Sequence, residues 1–368
     1  MKFTVSSSTL SKHTQKVQGI VSQSNILPIL SNFLFSLEGN TLSITATDQE
    51  TTMTTKLEVQ GSKDGSICID ATILSNYLKA VSEQPITFEV TEDFGITIKN
   101  NSGKQKLVGQ DAIHYPPPIQ EEETDTFTIK SSDLVIGLSK CLKGCDMNDR
   151  MWSRGVNFWF EKNKLSMCGT DASQLINYHC ETDNNGNANF IVPQKSVAQI
   201  IKTILPTETS VEIKYNKSNI FINTPDFKIT ARLLDAEYPK YKNIIPNNNE
   251  NVLSVNKNEF INSIKISSVF SNKECPIIVL EMAKNELTIT SQDVDFGTNG
   301  TEKISCEYSG EPITIGFNSK NLFELSSLVD TENIVFQIKD GTKGALIKNE
   351  NDLEGNEQLF LLMPLLTQ

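Results

Sequence analysis

The heptad LSMCGTD, Leu165 to Asp171, recurs as LSITATD at Leu42 to Asp48 and more loosely as LTITSQD at Leu287 to Asp293. From Asp48 to Asp171 is 123 residues, and from Asp171 to Asp293 it is 122. Alternating apolar and small polar residues that end in Asp predict a half-buried strand running into a turn. One such strand is commonplace, but three at near-constant spacing in 368 residues predict a triplicated unit.

The rest of each third repeats as well. An opening strand and helix, Met1 to Ile20, returns from Thr126 and again from Val252. A second strand and helix begins at Ser66, Phe190 and Pro312, and a proline lies near the end of each third, at Pro116, Pro239 and Pro364. Each third thus reads twice as strand, helix, strands. The expected class is α+β, three similar domains, each a pseudo-twofold unit of two helices packed on antiparallel sheets. YPPPIQEEET, Tyr115 to Thr124, and PNNNEN, Pro246 to Asn251, read as linkers. They set the expected domains at 1–120, 121–246 and 247–368. Turns are expected at 38–40, 183–187 and 340–342, where Gly, Asn and Asp cluster.

Hydrophobic content of 38% and charged content of 21% suit a soluble globular chain. The start, MKFTVSSS, lacks an apolar secretory core, and the apolar run Leu359 to Leu366 is too short to span a bilayer. Seven scattered cysteines point to a reducing compartment, with thiols used as small apolar residues. The expectation is a cytoplasmic protein with no membrane partner.

Charge is unevenly distributed. The predicted helices, 8–20, 71–81, 132–143, 194–205, 257–270 and 319–328, hold ten lysines against Asp133, Glu259 and Glu324, a net of +7. The whole chain is −12, which leaves −19 for the remainder. In the clearest helix Val197, Ile200, Ile201 and Ile204 form a buried stripe, with Lys195, Gln199 and Lys202 on another face. Likewise Leu10, Val17 and Ile20 oppose Lys12 and Lys16, and Ile73, Tyr77, Leu78 and Val81 leave Lys79 outside. Lysines decorating solvated faces are ordinary on one helix; on six related helices of an acidic chain they suggest an anionic partner.

Catalytic signatures are missing: no phosphate-binding loop, metalloprotease helix, nucleophile elbow or dinucleotide fingerprint occurs. His13, His114 and His179 match no ligand spacing, and Cys141 with Cys145 reads as packing rather than metal binding. Asp48, Asp171 and Asp293 end equivalent strands, so they read as turn residues rather than a carboxylate set. No catalytic residue, metal or cofactor is expected.

At this point the residues resemble a known family. MKFTV at the start, LPILSNFLF at Leu27 to Phe35 followed by TATDQE, GTDASQL at Gly169 to Leu175, FIVPQK at Phe190 to Lys195, LLDAEYPKYKNIIP at Leu233 to Pro246, and Met363-Pro364 are similar to the bacterial sliding clamp, the beta subunit of the replicative DNA polymerase. The likeness covers essentially the whole chain. It implies the DNA clamp fold and a head-to-tail homodimeric ring of six similar domains, with twelve helices lining a hole and a continuous sheet at the rim. The implied function is a non-catalytic processivity factor that encircles duplex DNA without sequence preference. It would tether the polymerase catalytic subunit, the ATP-driven clamp loader and repair proteins through short Leu/Phe-rich motifs.

Three sets of residues follow from the resemblance. Lys12, Lys16, Lys79, Lys140, Lys143, Lys195, Lys202 and Lys265 would face DNA. Tyr77 and Val81 would meet Val269 and Phe270 of a second copy, with Lys104 and Lys106 facing Asp295 and Glu302. The alternative is that Val269 and Phe270 finish a helix inside their own core. Arg150, Thr170, Leu175, Pro239, Ile244, Leu361, Met363, Pro364 and Leu365 map onto the partner-peptide pocket. The strand Leu359, Leu361, Met363 offers one apolar face, to serve as core or docking site. Gln174, Asn243 and Leu366 stand where many relatives carry Arg, which puts polar anchoring of the peptide in question.

Two other classes compete. A β-rich repeat array could be a carbohydrate-binding adhesin, but the secretion signal and exposed aromatics usual there are not evident. A hydrolase needs a converging acid/base pair that the repeat does not supply.

Overall fold

The computed structural model describes residues 1–22, 26–147, 150–183, 186–204, 207, 209–351 and 356–365. Six α-helices lie among them: α1 Ser7–Gln18, α2 Ala71–Ala80, α3 Ser131–Cys141, α4 Gln194–Thr203, α5 Lys257–Ser268 and α6 Ser319–Ser327. All six fall inside or within a residue of the expected windows. Side-chain caps fix several starts. Asp70 accepts from Ile73 N at 2.7 Å, Asn256 from Asn258 N and Glu259 N, and Asn318 from Lys320 N and Asn321 N. Each helix ends one or two residues before its expected window does; after α3, Leu142–Gly144 is a 3-10 turn, and Val269 and Phe270 lie beyond α5.

Packing gathers the chain into two compact units, Met1–Ser132 with Lys195–Leu233, and Asp133–Gln194 with Leu234–Gln368. In the first unit, Lys2–Ser6 lies in an antiparallel five-stranded sheet between Gln60–Lys63 and Pro85–Val90, followed by Gly95–Asn100 and the terminal strand Gly103–Val108. An eight-stranded sheet runs from Asp125–Lys130 through Ser210–Tyr215, Asn219–Asn223 and Phe227–Arg232 to Thr51–Glu58 and the remaining strands of the first third. Phe3 stacks on Phe88 at 4.9 Å between ring centroids, with Phe35 tilted against both.

In the second unit a nine-stranded sheet joins Asn189–Pro193, Gly155–Glu161, Lys164–Thr170 and Gln174–Glu181 to Glu357–Leu362 and the strands beyond it. A four-stranded sheet carries Thr298–Ser305 at one end and Ile313–Asn318 at the other. The middle third of the sequence is therefore divided between the units: its opening strand, nearly all of α4 and its last strands lie in one, and the strands between α3 and α4 in the other.

The helix faces differ from the pattern in two places. Ile73 is 56% exposed, because Ala71, Leu74, Ser75 and Leu78 already occupy the inner face of α2 and leave no room for a fifth position. Gln199 is buried: its Nε2 donates to the Lys16 carbonyl and contacts Met53 Sδ, so it faces inward while Lys195 and Lys202 stay exposed. Five of the seven cysteines are buried, Cys145 is half-buried and Cys275 exposed, and all are free thiols.

Candidate functional site

The three repeated aspartates make the same local structure. Asp48 Oδ1 accepts from Glu50 N at 3.1 Å and Thr51 N at 2.7 Å. Asp171 Oδ1 accepts from Ser173 N at 2.7 Å and Gln174 N at 2.9 Å. Asp293 Oδ1 accepts from Asp295 N at 3.0 Å and Phe296 N at 3.2 Å. Each is an Asx turn closing a strand, a structural use that occupies the carboxylate.

The lysines divide by what surrounds them. Lys12, Lys79, Lys202 and Lys265 are exposed, and none has a carboxylate partner among the described residues. Lys16 is half-buried with its ammonium 5.6 Å from the Phe227 ring centroid, and Lys265 lies 5.3 Å from that of Phe323. Lys195 is ion-paired with Asp48, and Lys143 reaches Glu324 at 3.2 Å. Lys140 corrects the expectation. It is buried, ion-paired with Asp330 and bonded to Gln358, so its charge is spent inside the protein rather than offered to an external anion.

The pocket residues all belong to the second unit. Gln174–Glu181 pairs with Glu357–Leu362 so that Leu175 lies opposite Leu361. Beyond that strand, Met363 N donates to Ser173 O and Leu365 N to Gly316 O, both at 2.8 Å, which ties the terminal segment down. Leu175 and Leu361 are buried in a cluster with Cys168, Ile191, Tyr238, Tyr241 and Leu346, and Leu359 packs against it. Thr170 is buried too, its hydroxyl donating to Gln174 O. These three residues are floor and frame rather than surface. Ile244 and Met363 are exposed, while Pro239, Pro364 and Leu365 are half-buried, so the accessible apolar surface comes from these five. Phe360 and Leu362 are also buried, so the terminal strand is apolar on both faces rather than one.

Aromatic residues support that floor. Trp152 meets Tyr238 edge-on at 6.0 Å, Trp159 meets Tyr241 at 5.8 Å, and Tyr238 OH donates to Cys168 O at 3.0 Å. Arg150 stands 5.7 Å from the Trp152 ring centroid, and Lys242 sits 3.9 Å from that of Trp159 while reaching Glu161 at 2.6 Å. Burial pushes both tyrosine hydroxyls up, which keeps them neutral. Gln174 Nε2 donates to Lys143 O at 3.3 Å, so this side chain is held to the backbone. Asn243 ends a 3-10 turn beside Ile244, and Leu366 lies outside the described residues. The sequence pattern missed Gly344, where an added Cβ would stand 2.7 Å from Leu361 Cδ1 and 3.2 Å from Met363 Sδ. A cavity of about 740 Å³ beside α5 and α6, lined by Lys265, Val269, Lys273, Lys320 and Phe323, shares no residue with this pocket.

The expected contact residues lie on accessible surface. Val269 is 77% and Phe270 40% exposed, so they do not finish a helix within their own core. Tyr77 and Val81 are half-buried, and Tyr77 OH accepts from Asn100 Nδ2 at 3.2 Å. Lys104 and Lys106 project from the terminal strand Gly103–Val108; Glu302 belongs to the terminal strand Thr298–Ser305, and Asp295 to the turn before it.

Models of the DNA polymerase III beta subunit match residues 1–119 as its N-terminal domain, 146–240 as its central domain and 242–364 as its C-terminal domain. The beta sliding clamp of Vibrio cholerae is 24% identical over 99% of this chain and 100% of its own length, and that of Escherichia coli is 23% identical over the same shares. A DNA polymerase sliding clamp from Pseudomonas aeruginosa superposes with a TM-score of 0.94 at 23% identity, and one from Bacillus subtilis with 0.93 at 23%, each covering both chains fully. With three successive domain models spanning nearly its whole length, the chain belongs to the DNA polymerase III beta subunit family.

Proposed function

We propose that the chain acts as a homodimeric ring around duplex DNA, a non-catalytic processivity factor in the cytoplasm that tethers the replicative polymerase and other proteins. The observation that carries the DNA half is the charge separation: Lys12, Lys79, Lys202 and Lys265 are exposed on helices, without a carboxylate partner among the described residues, in a chain of net charge −12. Ammonium groups attract phosphates at a range of about 8–10 Å in physiological salt and carry no base-reading geometry. A ring lined in this way holds DNA by topology while permitting it to slide. Lys16, Lys143 and Lys195 add weaker field, because their charges are partly occupied within the protein.

In this reading the repeats at 1–120, 121–246 and 247–368 are the three clamp domains of each copy. Tyr77, Val81, Lys104 and Lys106 of one copy meet Val269, Phe270, Asp295 and Glu302 of the other, with opposite charges on the facing strands. The pocket formed by Arg150, Pro239, Ile244, Met363, Pro364 and Leu365 over the Leu175–Leu361 floor takes short motifs carried by the polymerase, the clamp loader and repair proteins. Each buried Leu or Phe of such a motif contributes roughly 1.5–3 kcal/mol before ordering costs, which fits micromolar binding. With Gln174 bonded to backbone and Asn243 in place of a cation, motifs with few acidic flanks suit it best.

Retention tests the reading. Loaded protein is expected to stay on circular DNA and to run off linear DNA. Equal loss from both would remove the ring, and a carbohydrate-binding or hydrolytic protein would show no such difference.

A further inference from the structure

The turn before the terminal strand Thr298–Ser305 carries two large apolar side chains in the open: Val294 is 78% and Phe296 82% exposed. The turn is built rather than loose. Asp293, itself buried, accepts from the backbone N–H groups of Asp295 and Phe296, and Gly297 takes the positive φ of +62° that closes it. It adjoins the proposed contact surface, since Thr298 Oγ1 donates to Phe270 O at 3.1 Å and the Phe270 ring lies over Gly300. Phe270 therefore lies beside the start of this strand, and Val294 and Phe296 stand on the turn that leads into it.

The strand pairs without a bulge from Asp293 opposite Thr298 to Glu286 opposite Ser305, and its outer edge has no neighbour among the described strands. The same holds for Gly103–Val108, paired only with Gly95–Asn100. Flat edges without proline or bulge are templates for further pairing. One edge carries Lys104 and Lys106, and the other Glu302 and Lys303, with Asp295 on the turn before it. In antiparallel pairing, a step toward Val108 on the first edge moves toward Thr298 on the facing strand. Val108, at that end of the first edge, is 78% exposed, and Ile113, on the 3-10 turn Ala112–His114 that follows, is 79% exposed.

We infer that the Val294–Phe296 turn is an apolar clasp that docks on Val108 and Ile113 of a second copy, extending the contact beyond Val269 and Phe270. Continuity with the Val269 and Phe270 surface, and open apolar side chains near the matching ends of the two edges, select a second copy of this chain as the occupant. The inference rests on the dimer reading above and adds to it the apolar turn and the side chains on which it docks.

Sedimentation equilibrium on the full chain and its variants tests both. The unaltered chain is expected to dimerise, and Val294→Asp with Phe296→Asp to weaken the dimer by about a hundred- to ten-thousandfold, as loss of a buried Phe and Val implies. Both sites are open in a single copy, so the variant should unfold at the same urea concentration as the parent. Phe296→Glu alone should weaken the dimer, and adding Val108→Lys should recover at least part of the loss. A dimer unaffected by the double change overturns the clasp while leaving the dimer reading in place; a monomeric parent chain overturns both. Loss of partner-peptide binding at unchanged dimer strength would assign the turn to another protein, and also overturns it.

Discussion

The Lys140 ammonium is ion-paired with the Asp330 carboxylate, the lysine side chain 9% exposed and the aspartate 39%. Gln358 bonds to both, so a charge that the sequence offers to DNA is consumed by a local network. Lys140→Met should lower stability by about 2 kcal/mol, less than for a fully enclosed pair because Asp330 keeps some water. The salt dependence of DNA binding should stay unchanged. A variant as stable as the parent but weaker on DNA would return Lys140 to the DNA-facing set.

The exposed lysines should behave in the opposite way. Each of Lys12, Lys79, Lys202 and Lys265 changed to Gln is expected to reduce the slope of log affinity against log salt by up to about 0.9, with little effect on stability. Asp48→Asn should release Lys195, keep the Asx turn through Oδ1, and steepen that slope. Titrations of a fixed duplex across a salt series measure all five.

In the pocket, floor and surface should separate. Leu361→Ala and Leu175→Ala should cost about 2–5 kcal/mol of stability, as buried leucines do. Met363→Glu and Ile244→Glu should leave the unfolding midpoint in place and reduce binding of a Leu/Phe-rich peptide at least tenfold, about 1.4 kcal/mol. Gly344→Ala pushes on Leu361 and Met363 from below and should weaken the peptide with a smaller loss of stability. Calorimetry with a synthetic peptide, beside urea denaturation, reads both effects.

Acid should act in two stages. Burial holds His13 and His179 below the usual imidazole value, ahead of any charge effect. Their folded pKa lies below the unfolded one, so the unfolded chain takes up protons first. The stability is complete above about pH 6.5 and is lost as pH falls below it. Lys99 and Lys2 hold Glu89 at about 2, and Lys228, Asn223 and Lys214 hold Glu121 at about 2. That contribution is complete above about pH 4.3 and lost as pH falls toward the folded value. Denaturation midpoints across pH 8 to 3 should show both, and His13→Gln with His179→Gln should flatten the first alone.

Thiol labelling should be confined. Cys275 is exposed, whereas burial pushes the Cys68 and Cys145 thiols up to about 12 and the Cys141 thiol well above its ordinary value. One label per native chain is expected at neutral pH, and seven after unfolding.

The helices were legible because a period of 3.6 residues and a capping Asn or Asp are local properties, and α4 shows its Val197–Ile200–Ile204 stripe within one window. The triple Asx turn was legible for the same reason. What lay beyond a window was not. Lys140 reads like any other helical lysine until Asp330, 190 residues away, closes on it. Leu361 and Met363 read in the sequence as one face of one strand, yet the strand ends at Leu362, and Leu175 and Leu346 flank Leu361 alone, so one is floor and the other surface. Strand pairing across the repeat, Asp125–Lys130 with Ser210–Tyr215 and Gln174–Glu181 with Glu357–Leu362, left no mark in either partner alone.

The division of the middle third has a covalent consequence. The chain leaves the first unit after Ser132, returns at Lys195 and leaves again after Leu233, so three peptide crossings join the two units. Cutting any one of them leaves two intact strands of connection. A protease acting at a single crossing should therefore yield fragments that comigrate until denatured. Excision of 121–246, which looks like a module in the sequence, would strip an edge from each of two sheets at once.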